Sequence, residues 1–151
     1  MYKNVDKAKK LRWKVLAISW IKYYSKNVTE EKGGGNLKNF FGSIFINRDD
    51  LREAGINYPI KVEYYKITNE DKMKQKNKLI YGIQIIKTEY KEKIGVEQNK
   101  IEEITNDERE INKFLNIVKE NEVTPIGLED VIIELKNMQR LAKNKKLSYN
   151  T

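Results

Sequence analysis

Apolar and polar positions alternate in short runs through the first part of the chain, and toward its end they recur every three to four residues. Leu11, Trp13, Val15 and Ala17 alternate with Lys10, Arg12 and Lys14, the period of a half-buried strand, while on a helical wheel the apolar residues of 11–24 fall on two opposed sides. A basic amphipathic helix with Trp13 and Trp20 at a membrane surface would need one clean polar face, which this segment lacks. Residues 25–39, "SKNVTEEKGGGNLKN", have loop composition. Phe41 to Ile46 reads as a strand, and "NRDDLREAGI" then supplies Asn47 as N-cap, Asp49 and Asp50 in the first turn, and Gly55 as the residue that ends a short helix.

Beyond Pro59, the alternation of Ile60, Val62 and Tyr64 with Lys61, Glu63 and Tyr65 predicts another strand. The polar stretch "TNEDKMKQKNK" separates it from a strand with Leu79, Tyr81, Ile83 and Ile85 on one face, so the two form an antiparallel hairpin. "KIGVEQNKIEEI" adds a further strand before Thr105. Thr105 and Glu108 match a capping box, and Ile111, Phe114, Leu115 and Val118 follow at the spacing of one buried helical face, predicting a helix over 107–120. Thr124 and Pro125 form an N-cap and N1 pair for a second helix over 125–139, in which Leu128, Val131, Ile132, Leu135 and Met138 lie together. The expected fold is α+β, a small antiparallel sheet of about four to five strands with two C-terminal helices packed on it. A basic disordered start (1–10) and a basic, fraying tail (140–151) flank a single domain over 11–139, divisible into 11–57 and 58–139.

Charge narrows the partner class. Among 151 residues, 30 Lys and Arg stand against 22 Asp and Glu, a net charge of +8 that suits nucleic acid or anionic lipid, although a general Lys-rich bias explains the number equally well. The chain has neither cysteine nor histidine. Disulfides, thiolate chemistry, Cys- or His-ligated metal sites and histidine general bases are thereby excluded, and the expectation is a protein without cofactor, metal or enzymatic activity. Gly33, Gly34 and Gly35 satisfy neither the Walker loop nor the dinucleotide fingerprint, because no Gly-Lys-Ser/Thr closes the run, and they read as a connecting loop. No window approaches the roughly 20 apolar residues of a membrane span. "KKLRWKVLAISWI" has Lys14 inside its apolar part and no cleavage pattern after it, so the expected location is cytoplasmic, with no membrane partner.

Two segments carry resemblances. In "GSIFINRDDLREAGI", Gly42, Ile44, Ile46, Leu51, Arg52, Gly55 and Ile56 agree with a glycine, an aliphatic strand, a charged helical turn and a terminal Gly-Ile. On these, residues 13–67 resemble the swapped-hairpin DNA-binding domains of bacterial transition-state regulators and antitoxins, departing at Asn47, where proline is usual, and in a longer glycine loop. That resemblance implies an intertwined homodimer whose basic strands and loops lie against duplex DNA. Tyr81, Gly82, Ile83, Asn121, Val123, Thr124, Pro125, Leu128, Asp130, Val131 and Ile132 make residues 62–136 similar to an uncharacterised family of small proteins from low-GC Gram-positive bacteria, with Gly127 where a histidine is often found. This second resemblance implies an α+β fold and a bacterial source, and no activity.

The candidate nucleic-acid contacts are Arg12, Lys14, Lys22, Lys26, Lys32 and Lys38, placed on one strand face and its loop, with Arg48 and Arg52 on the short helix. Their bland reading is a solvated surface. Asp49 with Asp50 and Glu102 with Glu103 are the paired carboxylates a metal or acid-base site would need, yet the first pair suits a helix dipole and the second a solvated strand end. Tyr23 with Tyr24 and Tyr64 with Tyr65 could stack on bases, but aromatics in alternating strands more often pack. The expected function is a non-enzymatic DNA-binding protein, a regulator or an accessory factor of a mobile element, contacting mainly phosphates. The alternative is a protein-interaction module whose C-terminal helices bind a partner, with incidental charge, and a carboxylate-based nuclease ranks third.

Overall fold

The computed structural model describes residues 36–71 and 78–148. Strand β1 (Leu37–Ile46), a single helical turn α1 (Arg48–Leu51) continued as a 3₁₀ turn (Arg52–Ala54), then β2 (Ile60–Asp71), β3 (Lys78–Glu89) and β4 (Gly95–Thr105) lead into helix α2 (Glu108–Glu120). A 3₁₀ turn (Pro125–Gly127) joins α2 to the long α3 (Leu128–Ser148). The four strands form one antiparallel meander in sequence order, so each apolar run pairs with its chain neighbour. The mixed α+β class expected from the pattern is the class observed.

Register follows the alternation. Ile44 opposes Val62 and Ile46 opposes Ile60 across β1 and β2, Tyr64 opposes Ile85 across β2 and β3, and Ile83 opposes Ile101 across β3 and β4. These side chains share one face, and α2 covers it with Ile111, Phe114, Leu115 and Val118, while α3 adds Leu128 and Ile132. Val62, Tyr64, Ile83, Ile85, Ile111, Leu115, Val118 and Leu128 are all fully buried, which makes this the hydrophobic core of the described residues. Within it the Tyr64 hydroxyl donates to the Val123 carbonyl at 3.1 Å and ties the turn after α2 to the middle of the sheet. Asn99 similarly donates its side-chain amide to the Pro125 carbonyl at 3.1 Å, holding the second turn against β4.

Two irregularities shape the sheet. Between Phe40 and Gly42 the β1 register slips by one residue, which lets Phe41 join the core, and the absence of a side chain at Gly42 makes room for Lys119 of α2, whose Nζ would lie 2.8 Å from a Cβ there. Between Tyr81 and Ile83 the partner residues on β4 jump from Thr105 to Ile101. The extra backbone of β4 folds over Gly82, where a Cβ would fall on the Ile101 carbonyl oxygen and stand 2.7 Å from the Glu102 carbonyl carbon.

The elements run longer than their apolar periods. Leu37 to Asn39, expected in the glycine loop, belong to β1 because their backbones pair with Lys66 to Thr68. Thr68 to Asp71, expected in a polar linker, extend β2 by pairing with Lys78 to Tyr81. Backbone hydrogen bonds are indifferent to side-chain polarity, so a hairpin ladder continues past its hydrophobic positions. The capping box does not form. Asp107 is the N-cap of α2, its Oδ1 accepting from the Arg109 amide at 2.8 Å, and the Thr105 hydroxyl oxygen instead accepts from the Asp107 amide at 3.1 Å. Thr124 is the N-cap of the 3₁₀ turn with Pro125 at its start, though its hydroxyl makes no capping bond. The expected strand at 11–17 and the basic start at 1–10 lie outside the described residues.

Candidate nucleic-acid interface

Of the eight basic residues expected to contact DNA, Arg12, Lys14, Lys22, Lys26 and Lys32 lie outside the described residues. Lys38 sits on β1, on the sheet face opposite the helices, with its Nζ 4.1 Å from the Tyr65 ring centroid. Such a cation–π contact holds the ammonium against an aromatic face. Phe40 meets the same ring edge-on at 5.6 Å between centroids. Arg48 and Arg52 lie on and just after α1, both exposed, and Arg52 Nη2 pairs with Asp49 Oδ1 at 3.1 Å. The extended chain from Lys38 to Arg48 spans on the order of 30 Å at about 3.3 Å per residue. The fold therefore does not gather these three cations into one surface.

Positive charge gathers elsewhere. Helix α3 spans 21 residues, of which Leu128 and Ile132 are buried and Val131 and Leu135 pack against the core. Beyond Leu135 the helix leaves the sheet, and Met138, Leu141 and Leu147 are 58% to 68% exposed. This arm, residues 136–148, carries Lys136, Arg140, Lys143, Lys145 and Lys146, every one of them exposed, and no Asp or Glu after Glu134. Lys136, Arg140 and Lys143 fall at i, i+4 and i+7 and so form one stripe. Cations in the last turn complement the helix dipole, but that effect fades within about one turn, so it does not account for Lys136 or Arg140. The expected fraying tail is thus helical as far as Ser148. The apolar period that marks the helix weakens after Met138, leaving the run of basic residues without acidic ones as the sign of the arm in the sequence.

Several cations elsewhere among the described residues are paired with acids. Lys66 donates to Glu108 at 2.9 Å and to Asn112 at 3.4 Å, joining β2 to the start of α2. Lys61 pairs with Glu63 at 2.8 Å. Lys87 lies between Glu97 and Glu89, with Lys91 on the other oxygen of Glu89 at 2.7 Å. Burial alone would lower the Lys87 pKa, but the hydrogen bond and charge of Glu97, helped by Glu89, outweigh it and raise the value. The Lys91 hydrogen bond, against a smaller opposing effect of burial, holds Glu89 below the usual carboxylate range. Asp49 and Asp50 stand in the first turn of α1 as expected, and Glu102 and Glu103 are exposed on β4. Among the described residues, no three acidic side chains converge to hold a metal ion.

The tyrosine pair splits across the sheet. Tyr64 is fully buried on the helix side, and burial first, with Glu122 adding to it, raises its phenol far above the ordinary value. Tyr65 faces the other way, and burial followed by the nearby Glu63 carboxylate pushes its phenol up to about 12. Neither ring lies open for stacking on a base.

The matched segment takes in the end of β1, the whole meander from α1 onward, α2, and α3 as far as Met138. The chain belongs to the Family of unknown function (DUF6514), matched over residues 44–138. Within the DUF6514 span lie the core and Lys136, while Arg140, Lys143, Lys145 and Lys146 follow it. No curated protein and no solved structure matches the chain. No helix among the described residues is long and apolar enough to cross a membrane.

Proposed function

We propose that this chain is a cytoplasmic, non-enzymatic DNA-binding protein, a regulator or an accessory factor of a mobile element, that contacts mainly phosphates. The observation that carries the reading is the α3 arm, five exposed cations with no carboxylate among them on a helix that stands clear of the sheet. A helix about 10–12 Å across with its side chains matches the roughly 12 Å width of the DNA major groove. Lys and Arg on such a helix displace counterions from phosphates, which gives affinity that falls steeply with salt and depends little on sequence. The basic residues before β1, Arg12 to Lys32, would extend the same electrostatic attraction.

The test is gel mobility of duplex probes at several salt concentrations with the full chain and with Lys136→Glu/Arg140→Glu/Lys143→Glu. Binding should weaken at least about tenfold in the triple variant, equally across unrelated probes, and the salt slope should fall by about one for each phosphate no longer neutralised. An unshifted probe at low salt, with the protein folded by circular dichroism, overturns the DNA reading. A protein-interaction module is the second reading, favoured by Met138, Leu141 and Leu147 exposed on the same arm. It gains if the chain ignores DNA.

A further inference from the structure

The outermost ridge of the α3 arm is uncharged. At about 3.6 residues per turn, Asn137, Leu141, Asn144 and Ser148 fall within about 60° of one another and about 180° from the seam of Leu128, Ile132 and Leu135 that seats the helix on the sheet. Burial agrees with that geometry, since all four are exposed while Gln139, on the seam side, is half-buried. Cations flank the ridge. Lys136, Arg140 and Lys143 line one shoulder and Lys145 stands on the other, so the flanks are positive and the crest is not. The equivalent ridge of α2, formed by Arg109, Lys113, Asn116 and Glu120, is also exposed but carries charges of both signs, as a solvated helix surface does. In a chain with 34% charged residues, an uncharged crest on the basic arm calls for a reason of its own.

We propose that this crest enters the major groove of duplex DNA and reads base edges there, with Asn137 and Asn144 as adenine readers and Leu141 between them against a thymine methyl group. Resting on the DNA-binding reading, this adds a sequence preference to it. The charges select the occupant. Two positive shoulders are satisfied by negative charge on both sides of the crest, and after Glu134 no carboxylate of α3 would meet it. Duplex DNA has that form, with a row of phosphates on either side of a groove about 12 Å wide. Base edges lie between the rows, and a side-chain amide, one donor group beside one acceptor, matches the N6 and N7 edge of adenine. Asn137 and Asn144 stand about 10 Å apart along the helix at about 1.5 Å per residue, which is about three base-pair steps of about 3.4 Å. Leu141 is 58% exposed between them, where the core gives it no role, and an apolar side chain at that place suits the thymine methyl. The phosphate contacts of the shoulders still supply most of the affinity.

The test binds the full chain to a pool of duplexes with a randomised centre, then amplifies and sequences the shifted fraction over successive rounds. The pool should converge on duplexes with two adenines about three base pairs apart, preferred over a scrambled duplex by about fivefold or more. Asn137→Ala/Asn144→Ala should erase that preference, so that the two duplexes bind alike. Lys136→Ala/Lys143→Ala should weaken both duplexes by a similar factor and keep their ratio, because phosphate contacts carry no sequence information. With the unaltered protein, adenine analogues that lack the N7 acceptor at those two places should remove the preference as well, a readout that does not depend on how a variant folds. A pool that shifts without converging, one that converges on a motif without the paired adenines, or a preference that survives the asparagine changes overturns the proposal and leaves the DNA-binding reading standing. A pool that never shifts at low salt overturns both.

Discussion

Tyr64 and Tyr65 are neighbours of one residue type in β2, yet the pleat sends them to opposite faces with different consequences. Tyr64 is enclosed by strands and helices, its hydroxyl spent on the Val123 carbonyl. Tyr65 is bordered by Phe40 and by the charged Lys38 and Glu63, and by no described helix. The contrast teaches that burial alone does not define a core. The helix face holds a closed apolar cluster with Lys66, Lys87 and Glu89 at its borders, whereas the opposite face is a patch of aromatics edged by Lys38, Lys61 and Glu63.

The largest effect should come from emptying the closed face. Tyr64→Ala should cost about 3–5 kcal/mol in urea or thermal unfolding, because it leaves a large cavity and an unpaired carbonyl at Val123. Tyr65→Ala should cost less, about 2 kcal/mol, since its surroundings can close or admit water. Equal losses at the two positions would erase the distinction between the faces. A smaller effect separates the sheet's charged end from both. Glu89 has a lowered pKa in the folded chain, so its contribution is present above about pH 4.5 and is lost as pH falls through the lowered value. Lys87 is raised, so its share is present below its ordinary value and is lost only as the solution becomes more alkaline than that. Between these limits stability should be nearly flat with respect to the cluster. Glu89→Gln should reduce the acid-limb slope of melting temperature against pH, with a change under about 1 kcal/mol at neutral pH because such partly exposed pairs contribute little.

Charge reversal at Lys136, Arg140 and Lys143 should be the mildest for folding, within about 0.5 kcal/mol, as expected of exposed positions away from the core. A large loss of stability in that variant would mean that the arm packs on something, and would weaken its standing as a free basic surface.

Periodicity along the chain was sufficient to predict β2, β3, β4, α2 and the packed half of α3, because each has an apolar face whose burial is local in its demand, with Val62 and Tyr64, Ile83 and Ile85, or Ile111 and Leu115 repeating at the period of the element. The same pattern placed β1 at its apolar end and missed Leu37 to Asn39, whose strand conformation comes from pairing with β2. It chose Thr105 over Asp107 as a cap, since a cap depends on the angle at which β4 delivers the chain into α2. The basic residues of 136–146 were visible as charge but not as a stripe, because their alignment requires the helix to continue past the point where the sheet stops supporting it.

The α+β class, the order of strands and helices, the buried residue types and the lack of cysteine and histidine chemistry belong to the sequence by itself, since they follow from composition and from periods of two and 3.6 residues. Tertiary structure decided the rest. It opened β4 over Gly82, kept Lys38 and Arg48 apart, and let α3 project beyond the sheet. Each of these depends on where one element ends relative to another, and pairing distances between residues far apart in the chain carry that information while local pattern does not.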